Sequence, residues 1–146
     1  MRIGEVARAV GTTPRTIRYY EEIGLMPGVA GRAAGAHRTF SEEDVEQLAE
    51  LLRVKELLGV TLEELRTLVA DQGTRAALKQ EYRAPGTSAA RRRQILDESQ
   101  AILDRTQALV DRRRAALDAF DRELADRRAL IARRHAELDA ETAATR

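Results

Sequence analysis

The chain has 146 residues, 34% of them charged and 3% aromatic, with no cysteine and a net charge of +1. That length suits one domain, or one small domain with an extension, and the missing cysteines exclude disulfides, thiolate metal sites and thiol redox switches. No apolar run approaches the ~18 residues of a membrane span, and the first helix starts too early to leave room for a signal peptide, so a soluble, cytoplasmic protein without a membrane partner is expected. The net charge is unevenly spread: residues 1–40 carry +3, residues 41–80 carry −4 and residues 81–146 carry +2. Binding phosphate requires a local positive face and not a basic whole.

Ile3, Val6, Ala7 and Val10 fall at helical spacing and predict a short amphipathic helix that ends at Gly11. A second short helix follows. Thr13 can cap it, Pro14 suits its first position, and Gly24 can end it in a left-handed conformation. Arg15, Thr16, Arg18 and Tyr19 lie along its first two turns, with Ile17 on the buried side. Helix, Gly-containing turn and a helix rich in Arg and Tyr is the layout of a helix-turn-helix DNA reader. The segment Arg2 to Leu25, with Ile3-Gly4-Glu5-Val6-Ala7 and Thr16-Ile17-Arg18-Tyr19-Tyr20-Glu21 at these offsets, resembles the winged helix-turn-helix of the MerR transcription regulators. The likeness continues to about Leu68, roughly half the chain.

The expected fold is therefore mainly α. A winged helix-turn-helix domain with a small β-hairpin wing occupies residues 1–70. Residues 71–87 form a linker with a possible short helix, and a long coiled-coil dimerisation helix covers residues 88–142. The resemblance implies that the wing arises from Met26 to Thr39, its second strand including His37-Arg38-Thr39-Phe40. Arg38 and Phe40 match the basic and aromatic positions of the family, whereas His37 stands where an aromatic is more usual and is equally readable as an exposed loop residue. Ser41 caps a helix opened by Glu42, Glu43 and Asp44, and its apolar face runs from Val45 to Leu58. Gly59 stops that helix, and a capping box from Thr61 to Glu64 starts the next, which Leu65, Leu68 and Val69 complete. A further short helix is expected after Thr74, before Pro85-Gly86 breaks the chain.

From Thr87 onward there is no Pro or Gly, and Leu96, Leu103, Val110, Leu117, Leu124, Ile131 and Leu138 recur every seven residues. Beside them run Ile95, Ile102, Leu109, Ala116 and Leu130, together with Ser99, Thr106, Arg113 and Phe120. Seven consecutive heptad positions predict a coiled-coil helix. About 55 residues at a rise of ~1.5 Å give roughly 80 Å of helix, whose apolar stripe needs another helix, most economically a second copy. Ion pairs along a lone helix contribute only ~0.2–0.5 kcal/mol each. Each buried Leu contributes ~1.5–3 kcal/mol, so pairing is favoured over a solvated helix. The dimerisation residues are Ile95, Leu96, Ile102, Leu103, Leu109, Val110, Leu117, Phe120 and Leu124. The resemblance implies an antiparallel homodimer. Because half-sites one DNA turn apart lie ~34–36 Å from each other, the crossing is expected near Leu103 to Val110.

The DNA-binding candidates are Thr13, Arg15, Thr16, Arg18, Tyr19, Tyr20, Arg32, His37, Arg38 and Lys55. Arg15 and Arg18 can meet phosphate or guanine, and Thr16 can serve either. Tyr19 and Tyr20 can place hydroxyls on phosphate, with a core position the alternative for Tyr20. For Lys55, a solvated helix face is the alternative. No nucleophile–base pair, metal motif or phosphate loop is present, and His37 and His135 are far apart in sequence, so neither enzyme activity, metal nor cofactor is expected. The expected partners are double-stranded DNA, as a pseudo-palindromic promoter operator, and a second copy of the chain, with RNA polymerase as a further partner. The resemblance implies that promoter DNA is distorted as the switch. Two other readings remain: an architectural DNA-binding protein with little sequence choice, and a protein–protein module whose long helix binds a sigma factor or other regulator.

Overall fold

The computed structural model describes residues 1–26 and 39–146, which divide into two compact units, Met1–Thr106 and Gln107–Arg146. The first unit holds helices α1 (Ile3–Ala9), α2 (Pro14–Glu22), α3 (Glu42–Leu58) and α4 (Leu62–Arg83), with the first turns of α5 (Ala89–Ala144). The segment expected to form the hairpin wing, with Arg32, His37 and Arg38, lies outside the described residues. At its exit the described chain forms no strand but a single antiparallel bridge between Arg2 and Thr39. The backbone N–H of Phe40 donates to the Met1 carbonyl at 2.7 Å, and the Met1 amine donates to the Phe40 carbonyl at 2.8 Å.

Each helix start is specified by its cap. Ser41 and Asp44 form a reciprocal box: the Asp44 N–H donates to Ser41 Oγ at 3.1 Å and the Ser41 N–H to Asp44 Oδ2 at 2.8 Å. The Glu64 N–H donates to Thr61 Oγ1 at 3.2 Å. Gly59 ends α3 with φ 60°, a conformation that glycine adopts without the clash a Cβ makes with the next carbonyl. Val6, Ala7, Ile17, Tyr20, Leu25, Met26, Phe40, Leu48, Leu51, Val60 and Leu65 are buried in this unit.

The segment after Asp71 departs from the linker with a short helix read from sequence. Helix α4 runs without a break to Arg83, straight through Gly73. A glycine inside a helix costs only about 1 kcal/mol relative to alanine, and the second half of α4 is stabilised by packing. Leu78 is buried with Ile95 and Ile102 of α5 in one apolar cluster. The helix stops where Ala84, held extended at ψ 139°, precedes Pro85. Thr87 Oγ1 then donates to the Glu81 carbonyl at 2.7 Å, which fixes the reversal. Ion pairs lie on either side of the cluster along the hairpin. Arg91 donates to both carboxylate oxygens of Glu81, at 2.6 and 2.9 Å, and to Glu98 at 2.8 Å. Arg105 reaches Asp71 at 2.6 Å. The Arg92 guanidinium stands 5.6 Å from the centre of the Tyr82 ring.

This hairpin corrects the expected seam. Ile95 and Ile102, read as facing a second copy, are covered within the chain itself and retain 2% and 5% of their exposure. The adjacent column is open: Leu96 is 56% exposed and Leu103 44%. In the second unit the remainder of α5 leaves Leu117, Phe120, Leu130, Ile131 and Leu138 exposed, while Leu109, Val110 and Leu124 are half-buried. Among the described residues no helix is long and apolar enough to cross a membrane, and no group of acidic or histidine side chains could hold a metal ion.

Two outcomes follow from the hairpin. Ile95→Ala should lower stability by about 2–5 kcal/mol, read as a fall in the urea midpoint. The hydrogen bond from Arg91 holds the Glu81 carboxyl below its ordinary pKa. Since the folded pKa is depressed, this stabilisation is complete above the unfolded Glu value, about 4.3, and disappears as the pH falls through the folded value. A Glu81→Gln variant should therefore melt below the parent at pH 7 and converge with it in acid; parallel pH profiles would refute the pairing.

Candidate nucleic-acid interface

Helix α2 is nine residues long and would be marginal alone; its two ends and its inner face stabilise it. At the start, the Thr16 N–H donates to Thr13 Oγ1 at 3.1 Å, and Pro14 occupies the first helical position, where no N–H is needed. At the end, Gly24 adopts φ 76°, its N–H donates to the Glu21 carbonyl at 3.2 Å, and the Leu25 N–H donates to the Tyr20 carbonyl at 2.9 Å. These paired bonds satisfy carbonyls that the helix leaves open and turn the chain inward to the buried Leu25 and Met26. Upstream, Gly11 takes φ 71° in the turn from α1, and the Thr12 N–H donates to the Ala7 carbonyl at 2.9 Å.

With both ends fixed, the faces of α2 separate cleanly. Ile17 and Tyr20 point inward at 0% and 2% exposure. Arg15, Arg18, Tyr19 and Glu22 point outward, and with Thr16 they line one shallow depression on the surface. Tyr19 is 44% exposed, its ring centre 6.3 Å from that of Tyr20 and tilted by 46°. Neither Arg15 nor Arg18 makes an ion pair among the described residues. Two guanidiniums, a phenol and a hydroxyl therefore share one solvent-facing helical surface, which is a donor set suited to phosphate oxygens and guanine edges.

The structure redistributes the other candidates. Tyr20 is a core residue, and its hydroxyl accepts from Lys55 Nζ at 3.2 Å. That ammonium also lies 5.8 Å from the Tyr20 ring centre. Lys55 is half-buried in the last turn of α3, where a cation complements the helix dipole, so both residues join α2 to α3. Thr13 uses its oxygen as the cap and lies 3.0 Å from the Thr16 hydroxyl, which ties both threonines to the helix start. Arg32, His37 and Arg38 are outside the described residues. Sequence reasoning missed Glu22, an anion on the outward face one turn beyond Arg18; the i,i+4 spacing was the available signal.

Comparison with known proteins agrees with this geometry. The family described as "MerR HTH family regulatory protein" matches residues 1–72. The HTH-type transcriptional regulator YfmP of Bacillus subtilis is 48% identical over 66 residues, covering 45% of this chain and 46% of that protein. An uncharacterized HTH-type transcriptional regulator of Pseudomonas aeruginosa is 44% identical over 69 residues, covering 47% and 51%. The HTH-type transcriptional regulator HmrR of Sinorhizobium medicae is 39% identical over 70 residues, covering 48% and 46%. The chain spans about half the length of the curated relatives it matches. No solved structure matches it. Capped α2, the glycine turn before it and the family match over the same residues agree: residues 1–72 are a helix-turn-helix domain of the MerR family.

Proposed function

We propose that this chain is a sequence-specific DNA-binding transcription regulator, cytoplasmic and active as an antiparallel homodimer. The observation that carries the reading is the outward face of α2, with Arg15, Arg18 and Tyr19 unencumbered on a doubly capped helix inside a MerR-family domain. Relatives matching over the same residues are named transcriptional regulators. Residues 1–70 read DNA and residues 88–142 pair the two copies. Residues 71–87, the second half of α4 and the turn after it, join the two.

In this reading α2 enters the major groove, and its guanidiniums contact phosphate and base edges. Two copies place two such helices on half-sites ~34–36 Å apart, which matches a pseudo-palindromic operator. The buried Tyr20–Lys55 contact ties α2 to α3, so the docked helix is backed by a packed domain. A rigid pair of heads whose spacing differs from that of relaxed DNA selects bent or untwisted duplex, and the energy of that deformation becomes the regulatory signal to RNA polymerase.

Arg18→Ala should weaken operator binding and reduce the slope of log K against log salt by about 2 for the two copies, with little change in melting temperature. An unchanged slope would show that Arg18 does not meet phosphate. The placement of the crossing near Leu103 to Val110 is tested separately by ending the chain after Arg122: sedimentation should still show a dimer, and a monomer would remove the crossing from that segment.

A further inference from the structure

Between the second half of α4 and the start of α5 lies a groove of about 550 Å³ that the DNA-reading function does not use. Ala76, Tyr82, Ile95, Leu96 and Leu103 give it an apolar floor, and Ser99 leaves space in the middle. Its rim is cationic: Arg75, Lys79 and Arg83 follow one another at intervals of four along α4, and no carboxylate lines the groove. None of the three makes an ion pair among the described residues. Leu96 and Leu103 belong at once to this groove and to the open heptad column.

We infer that the groove receives Phe120 of the partner subunit, with the partner's Glu123 meeting Lys79 at the rim. The inference rests on the homodimer reading above and specifies its contacts. Phe120 is 53% exposed and follows Ser99 by 21 residues, three heptads along the same column. Two copies crossing antiparallel about an axis near Val110 place position 99 of one beside position 120 of the other, and Leu96 and Leu103 opposite the partner's Leu124 and Leu117. The largest side chain of the column thus meets one of the smallest. In antiparallel pairing the two columns lie on the same side of the seam, the side on which α4 stands. Glu123, one turn past Phe120, brings a carboxylate to a rim that has only cations. A parallel pair would instead bring like positions together and leave the groove empty.

The absence of cysteine makes the contact directly measurable. Ser99→Cys and Phe120→Cys variants are prepared separately, mixed and oxidised. The two positions are ~31 Å apart along one helix, too far for a bond within a chain. The mixture should give a covalent dimer on a non-reducing gel, and each variant alone should not. Phe120→Ala should raise the dimer dissociation constant about tenfold or more, and Ser99→Phe combined with Phe120→Ser should recover much of it. A protein that sediments as a dimer yet forms no 99–120 cross-link, or cross-links through Ser99→Cys alone, overturns this groove contact while homodimerisation stands. A monomer in sedimentation overturns both.

Discussion

Helix α5 carries two apolar columns side by side, and α4 covers one of them. Ile95 and Ile102 are buried against Leu78 within the chain, whereas Leu96 and Leu103, only one residue away in each heptad, remain open. A single helix turns by about 100° per residue, so neighbouring columns face different directions and can serve different partners. The inward column fastens α5 to the unit that carries α2; the outward one continues along the heptads beyond it. Burying either column draws on the same water-exclusion energy, and the chain divides it between folding and pairing.

The same division of faces recurs in α2 at smaller scale. A nine-residue helix has little stability of its own. Thr13 and Pro14 specify its start, Gly24 its end, and Ile17 and Tyr20 its inner face. Once these are satisfied, Arg15, Arg18 and Tyr19 are held outward without forming contacts that DNA would have to break. Lys55 adds to this from behind, since its bond to the Tyr20 hydroxyl joins α3 to the helix that presents the arginines.

What the sequence revealed follows the range of the interactions concerned. Caps and glycine stops depend on residues three or four apart, and Thr13, Ser41, Thr61, Gly24 and Gly59 all act where local spacing places them. The helix-turn-helix was legible for the same reason, reinforced by a long ordered motif. The continuation of α4 through Gly73 was not legible, because it depends on Leu78 meeting Ile95 and Ile102, a contact between distant positions that overrides a local helix breaker. The fate of Tyr20 was undecided for a related reason. Its spacing from Ile17 fits a core face and its hydroxyl fits a phosphate contact, and only the position of Lys55, 35 residues away, decides between them.

Charge completes the connection between the two functions of the chain. A net charge of +1 would suggest weak attraction to nucleic acid, yet the relevant cations are segregated by what neutralises them. Arg91 and Arg105 are bound to Glu81, Glu98 and Asp71 and serve the hairpin. Arg15 and Arg18 have no such carboxylate and remain available to a polyanion. Screening makes the distinction consequential: at physiological salt the field of an exposed charge decays over about 8 Å, so the acidic first turns of α3 and α4 reduce the attraction at α2 only where they come within that distance. Local pairing, and not the total, therefore determines which arginines hold the fold together and which are left for DNA.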